Sequence, residues 1–143
     1  MGIPEGFRTH VGVHRLRVRY ADTDQMGVAY HGAYIPWIEE GRTEWMREQG
    51  RSYRSMEEEG LALAVTSVEI QYHVSARYDD WIEIETRLEK LGKASISLAY
   101  RLFRVDPEGK RGPLLASART RLALLGPRGR PVRVEKEFFS SGN

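Results

Sequence analysis

The chain contains no cysteine among its 143 residues. A protein without cysteine forms no disulfide bond, uses no thiolate nucleophile and binds no metal ion through sulfur. The chain also has no apolar run close to the ~18 residues that a membrane-spanning helix requires. Its first ten residues, MGIPEGFRTH, resemble neither a secretory signal nor a myristoylation site. We therefore expect a cytoplasmic protein without stable membrane insertion.

The chain also has no large excess of positive or negative charge. Lys and Arg together number 22 and Asp and Glu 20, which gives a net charge of +2. This balance, without a dense basic run, argues against a nucleic-acid partner. Of the 22 basic residues 18 are Arg, a bias that reflects codon composition, a charge-dense surface, or arginines that recognise phosphate groups. The length and the 41% hydrophobic content are typical of one globular domain.

The first half of the chain predicts one strand and one long helix. Residues 11–20, VGVHRLRVRY, alternate apolar side chains with arginines, which is the period of a half-buried strand. From Ala33 to Gln49 the spacing becomes helical, and Pro36 fits only the first turn of such a helix. Gly50 is a natural helix end. The apolar stripe of this helix consists of Tyr34, Trp37, Ile38, Gly41 and Trp45.

The second half predicts a short helix and four strands. Residues 52–59 form the short helix, with Ser52 as N-cap and Gly60 as its end. The connections LGK and DPEGK indicate antiparallel neighbours, so we expect a four-stranded meander. The tail from Gly126 is rich in Gly, Pro and charge. We expect it to be a loosely ordered extension in which a last helical turn is able to dock. The four strands are predicted over 61–74, 81–89, 94–105 and 114–125, and the docking side chains are Val134, Phe138 and Phe139.

These elements predict an α+β domain over residues 1–125, followed by a C-terminal extension over 126–143. The simplest way to bury the helix stripe is to lay the helix across the concave face of a curved, antiparallel five-stranded sheet. Two known architectures fit this periodicity, the hot dog fold and the cystatin-like domain. The choice between them depends on the segment that precedes the helix.

That segment, YADTDQMGVAYHGAYIPWIEEGR at 20–42, resembles the signature of acyl-CoA thioesterases of the 4-hydroxybenzoyl-CoA thioesterase type. It is most similar to the branch associated in bacteria with the Tol-Pal gene cluster. The resemblance extends weakly to ARYDD at 76–80 and covers the chain to about residue 125. It implies a hot dog fold and hydrolysis of an acyl-CoA to free acid and CoA.

The resemblance also implies roles for individual residues. Asp24 matches the catalytic carboxylate, and His31 and Tyr20 match residues of the same site. It further implies no cofactor, no metal ion, and at least a homodimer, commonly a homotetramer, with each site at the seam of two chains. The expected substrate-binding residues are Gly27, Val28, Gly32, Tyr34 and Arg77.

Elementary chemistry is compatible with these roles. A thioester carbonyl needs an activated oxygen nucleophile on one side and a dipole that stabilises the oxyanion on the other. A helix N-terminus supplies that dipole, and Gly27 and Gly32 are expected to leave it open to the carbonyl. Asp24 either attacks the carbonyl or activates a water, and the sequence does not separate these routes. His31 is suited to orient the water, bond the thioester or protonate the leaving thiol.

Structural interpretations compete with these roles. Asp22 and Asp24 are also typical turn and cap residues, the better interpretation for Asp22, and His31 is also suited to a polar cap. The other histidines show no metal-ligand spacing. Two other functions stay open, an acyl-thioester hydratase or dehydratase and a noncatalytic acyl-CoA binding or scaffolding module. The order Asp-Thr-Asp before Gly-Val-x-Tyr-His argues against the first, and the presence of Asp24 and His31 argues against the second.

The acyl group and the CoA contacts are left open by the sequence. Ser75 stands where many relatives have a proline, which alters a loop beside the expected seam. Candidates for lining the acyl pocket are Met26, Met56, Leu63 and Val65, and candidates for binding the CoA phosphates are Arg77, Arg87 and Arg119.

Overall fold

The computed structural model describes residues 10–134 and residue 138. Within them, five strands form one antiparallel sheet in the order β1-β3-β4-β5-β2. Short 3-10 turns lie at Tyr20–Asp22, His31–Ala33 and Pro127–Gly129. The strands are β1 (Val11–Arg17), β2 (Ala62–Tyr72), β3 (Trp81–Leu91), β4 (Ser95–Val105) and β5 (Arg111–Leu125), and the helices are α1 (Tyr34–Glu48) and α2 (Tyr53–Glu58). The predicted α+β class, elements and helix bounds are therefore confirmed, and no helix of the described chain is long and apolar enough to cross a membrane.

The predicted meander is wrong in one respect, the position of β2. The hairpins β3–β4 and β4–β5 form as expected, but β2 pairs with β5 and β3 pairs with β1. The short links after β3 and β4 permit only hairpins. The longer connection over residues 73–80 lets the chain cross the end of the sheet, which places β2 at one edge.

Helix α1 packs on one face of the curved sheet, as predicted, and all five residues of its apolar stripe are buried. It approaches β3 closely at Gly41, where a Cβ atom would lie 2.8 Å from Cγ2 of Ile84. The main core of the domain is this contact between α1 and the inner sheet face. Inner-face side chains of β3 and β4 in this core include Ile82, Ile84, Leu98, Tyr100 and Leu102.

A buried cation joins the two helices to the sheet. Arg42 on α1 is only 6% exposed. It donates hydrogen bonds to the hydroxyl of Tyr53 on α2, at 2.9 Å, and to that of Tyr100 on β4, at 3.4 Å. The Tyr100 hydroxyl in turn lies 2.7 Å from Oγ1 of Thr120 on β5. These bonds satisfy a charge that would otherwise be costly to bury.

The short helix follows the sequence prediction, but residues 126–134 are not the loosely ordered extension that was expected, because the Val132 and Val134 N–H groups donate to the Leu124 and Lys93 carbonyl oxygens. The Ser52 hydroxyl accepts the Ser55 N–H at 3.0 Å, and Gly60 has a positive φ of 75° after the end of α2. Val134 and Phe138 are buried in the core, so these two side chains dock as expected. Phe139 lies outside the described residues. The division of the chain at residue 126 stays a prediction.

Asp22 closes the turn that follows β1. Its carboxylate is buried and accepts hydrogen bonds from the Arg19 backbone N–H at 2.9 Å and from Arg19 Nη2 at 3.0 Å. Its carbonyl oxygen accepts the Tyr30 N–H at 3.1 Å. Burial alone would raise the pKa of Asp22, but the Arg19 hydrogen bonds outweigh burial and lower this pKa. Asp22 is therefore a structural turn residue, the interpretation that the sequence favoured.

The lowered pKa makes the contribution of Asp22 to stability depend on pH. The contribution is complete above the unfolded pKa of about 3.9 and is lost as pH falls through the lower folded value. We expect Asp22→Asn to reduce the free energy of unfolding at pH 7 by about 1.5 kcal/mol, with a smaller reduction at pH 3. Urea unfolding at both pH values measures this, with exposed Asp79→Asn as control. A reduction of equal size at both pH values would contradict the prediction.

Candidate active site

A groove of about 290 Å³ opens where the segment between β1 and α1 meets the end of β2. It brings together Asp24 and His31, the two residues on which the predicted chemistry depends. Val28 and Tyr34, which were predicted to bind substrate, also line it. The complete lining consists of Asp24, Val28, Ala29, Tyr30, His31, Tyr34, Tyr72, His73, Val74 and Ser75.

Asp24 lies in a tight turn and is exposed. Its carbonyl oxygen accepts the Gly27 N–H at 3.0 Å, and its Oδ1 accepts the Met26 N–H at 2.8 Å. Gly27 has a φ of +78°, which explains the glycine because other side chains rarely adopt this conformation. Within the described chain Oδ2 of Asp24 has no hydrogen-bond partner. One carboxylate oxygen is thus held by the turn, and the other is available to a ligand.

His31 begins the helical run that continues into α1. The residue before it, Tyr30, occupies the N-cap position without a side-chain cap. Among residues 10–134 and 138, the backbone N–H groups of His31 and Gly32 find no acceptor. They form the positive end of the helix dipole beside the groove. Gly32 packs against the Tyr30 ring, because a Cβ atom at position 32 would lie 3.0 Å from Cε2 of Tyr30.

The loop after β2 forms the opposite wall and is fixed by several hydrogen bonds. The Ala29 N–H donates to the Ala76 carbonyl oxygen at 2.8 Å, and the Ala76 N–H reaches the Tyr34 hydroxyl at 3.4 Å. Arg104 donates to Asp80 at 2.9 Å and to the Ser75 carbonyl oxygen at 2.7 Å. The loop that holds Ser75 is therefore anchored to both β4 and α1.

Sequence reasoning missed Tyr72 as a residue of this groove. Its hydroxyl donates to the His31 carbonyl oxygen at 2.9 Å, and its ring meets the His31 ring edge-on at 4.8 Å between centroids. Burial raises the pKa of both Tyr72 and Tyr34, so both phenols stay protonated at neutral pH. In the sequence Tyr72 is one apolar member of an alternating strand, and no spacing signal connects it to a residue 41 positions earlier.

Several predicted residues lie outside the lining of the groove. Tyr20 is 80% exposed and packs against Tyr78, with ring centroids 5.8 Å apart. Gly27 and Gly32 flank the lining, and Arg77 forms a backbone bridge with Val28. The roles of Tyr20, Gly27, Gly32 and Arg77 stay predictions. The described residues include no group of three or more His, Asp or Glu placed to hold a metal ion.

The candidate CoA and acyl contacts are dispersed. Arg87 and Arg119 lie on the outer face of the sheet in a separate concavity of about 640 Å³. Met26 is 83% exposed beside Asp24, whereas Met56 is buried in the core at 1% exposure. Met56 is therefore a core residue in the single chain, and its place in an acyl pocket stays a prediction.

Comparison with known proteins places this chain in a family. A family model described as the thioesterase superfamily matches residues 26–110, a range that begins two residues after Asp24. The putative acyl-CoA thioesterase YneP of Bacillus subtilis is 33% identical over 101 residues, which cover 71% of this chain and 72% of that protein.

Solved structures agree with this assignment. The DHNA-CoA thioesterase from Staphylococcus aureus superposes with a TM-score of 0.80 at 29% identity, over 90% of this chain and 83% of that chain. A structure of 4-hydroxybenzoyl CoA thioesterase has a TM-score of 0.81 over 93% of this chain and 99% of that chain, and at 19% identity it shows the fold alone. The hot dog prediction is confirmed, and the chain belongs to the thioesterase superfamily.

Proposed function

We propose that this protein hydrolyses an acyl-CoA thioester to the free acid and CoA. The observation that carries the proposal is the groove itself. It holds a carboxylate oxygen of Asp24 that has no partner among the described residues, together with His31 and the amides at the start of the helical run. The names of the related proteins, acyl-CoA and DHNA-CoA thioesterases, support acyl-CoA as the substrate class.

The chemistry follows from the two sides of the groove. The backbone N–H groups of His31 and Gly32 are suited to polarise the thioester carbonyl and to stabilise the oxyanion that forms on attack. Oδ2 of Asp24 either attacks the carbonyl carbon, giving an acyl anhydride that water then cleaves, or removes a proton from an attacking water. In both routes the C–S bond breaks and the CoA thiolate takes up a proton. His31 is suited to supply that proton.

The first test removes the reactive group but keeps its shape. Asp24→Asn preserves an oxygen that can accept the Met26 N–H, so the turn should survive while kcat falls by roughly 10² to 10⁴. Release of free thiol is measured on a panel of acyl-CoAs from acetyl to palmitoyl and benzoyl. Because the protein has no cysteine, a thiol reagent reports only product.

The control for this test is Asp79→Asn, an exposed aspartate whose carboxylate contacts Arg17 at 3.0 Å, away from the groove. If Asp24→Asn keeps the full turnover rate, Asp24 is a structural turn residue and not a catalytic group. Binding of acyl-CoA without turnover by the wild type would favour the noncatalytic binding or scaffolding module. Addition or loss of water across a carbon–carbon double bond would favour the hydratase or dehydratase.

A second prediction concerns His31. His31→Ala removes the imidazole but leaves both backbone amides, so we expect kcat to fall by about 10²-fold, the lower end of the range for an acid–base group, with little change in unfolding temperature. His14→Ala on β1 is the matched control, because His14 contacts Glu40 at 3.1 Å outside the groove. A loss of stability without a loss of rate would make His31 a structural residue.

We also propose that the protein is at least a homodimer that pairs through the free edge of β2. This strand is 11 residues long and bonds only to β5 within the described sheet. Its pairing register places Val65, Val68 and Tyr72 on the same face as α1, yet they are 45%, 39% and 43% exposed. A long apolar edge of this kind is an association site. Leu63, on the same face of β2, stays a candidate for the acyl pocket together with Val65.

The oligomeric state tests this interface. Sedimentation or light scattering should give the mass of two or four chains for the wild type. Val68→Lys should reduce the mass at least by half, because it places a charge in the proposed seam. Val13→Lys makes the same change on the opposite edge strand, where Val13 is 48% exposed, and should leave β2 pairing intact. A monomeric wild type would contradict the proposal. A tetramer, a cytoplasmic location and a link to the Tol-Pal-associated branch stay predictions.

A further inference from the structure

We propose that Tyr72 is a positioning residue for thioester hydrolysis. Its hydroxyl orients the peptide between His31 and Gly32, and its ring orients the His31 imidazole. The inference rests on the function proposed above and adds a residue from β2 to a site that sequence reasoning assigned to the segment before α1. It is carried by a hydrogen bond and two ring contacts that converge on the start of the helical run.

The hydrogen bond fixes a peptide plane. The Tyr72 hydroxyl donates to the His31 carbonyl oxygen at 2.9 Å. That oxygen and the Gly32 N–H belong to the same planar trans peptide and point to opposite sides of it. The same oxygen also accepts the Tyr34 backbone N–H of the helical run. The two bonds together fix the direction of the Gly32 N–H, which has no acceptor within the part of the chain that the structure describes. A hydrogen bond to the oxygen also polarises the peptide and makes its N–H a stronger donor.

The ring contacts fix the imidazole. The Tyr72 ring meets the His31 ring at 4.8 Å and 66°, and it meets the Tyr34 ring at 5.0 Å and 85°. Both are edge-on geometries that aromatic pairs prefer. Tyr34 is 2% exposed and belongs to α1, so it gives the Tyr72 ring a rigid support. The imidazole therefore rests against a ring that is itself fixed.

General stabilisation of the fold does not account for these contacts. Tyr72 is 43% exposed at the edge of the sheet. The segment before α1 is already attached by backbone hydrogen bonds, from Ala29 to Ala76 at 2.8 Å and from Tyr30 to Asp22 at 3.1 Å. Loss of the Tyr72 hydroxyl should therefore remove one of the two hydrogen bonds that hold and polarise a single peptide, and leave the fold in place. Burial raises the pKa of Tyr72, which keeps the hydroxyl a donor across the neutral range.

Tyr72→Phe removes the hydroxyl and keeps the ring. We expect kcat to fall about tenfold, the value of one well-placed hydrogen bond, and KM to change less than about twofold, since the hydroxyl is engaged with the His31 peptide rather than with substrate. The matched control is Tyr53→Phe. It removes a hydroxyl that accepts from Arg42 at 2.9 Å, away from the groove. The control should lose stability and keep the wild-type kcat.

A second readout requires no turnover. In the free protein, the amide proton resonance of Gly32 should move upfield in Tyr72→Phe, because its peptide loses the polarising hydrogen bond, and should stay in place in Tyr53→Phe. A wild-type kcat in Tyr72→Phe, or an unchanged Gly32 resonance with a loss of stability larger than in the control, overturns the inference and leaves the thioesterase proposal standing. A wild-type protein that hydrolyses no acyl-CoA of the panel overturns both.

Discussion

The candidate site exists because one backbone hydrogen bond joins two distant segments. The Ala29 N–H donates to the Ala76 carbonyl oxygen at 2.8 Å and thereby holds the segment before α1 against the loop after β2. The backbone N–H of the same residue, Ala76, donates to the Tyr34 hydroxyl, so α1 begins in a fixed relation to both. This contact sets Asp24 and His31 on one wall of the groove, opposite the loop after β2. The groove is therefore a product of the crossover that carries the chain from β2 to β3.

The crossover also explains what the sequence could and could not predict. Helix α1 was predictable because its apolar stripe and Pro36 report directly on local geometry. The hairpins of β3, β4 and β5 were predictable because their links are too short for any other connection. The position of β2 was not, since a link of residues 73–80 is compatible with either a neighbour or a crossover. Strand periodicity reports which face a residue occupies and says nothing of strand order.

The same limit applies inside the site. Asp24 and His31 were found because they belong to one short segment with a recognisable order of residues. Tyr72 was not, because its relation to His31 is created by the pairing of β2 with β5 and by the crossover, both of which are long-range. The orientation of Met56 was left open for a similar reason, since helical spacing does not tell whether α2 faces the core or a ligand. Site residues that come from a strand distant in sequence are therefore the hardest to predict from one sequence.

The distribution of arginines distinguishes the buried carboxylates of this protein from Asp24. The buried carboxylates Asp22, Glu83 and Glu85 each accept charged hydrogen bonds from arginine, which stabilise the anion. For Glu85, burial raises the pKa, but the bonds from arginine outweigh burial and lower it.

A carboxylate stabilised in this way is a weak base and a weak nucleophile, because attack must first give up those bonds. Asp24 has no arginine partner among the described residues, and a single backbone N–H holds one of its oxygens. The arginines thus stabilise the buried carboxylates that support the fold, whereas Asp24 lacks such a partner within the described chain, as the proposed chemistry requires.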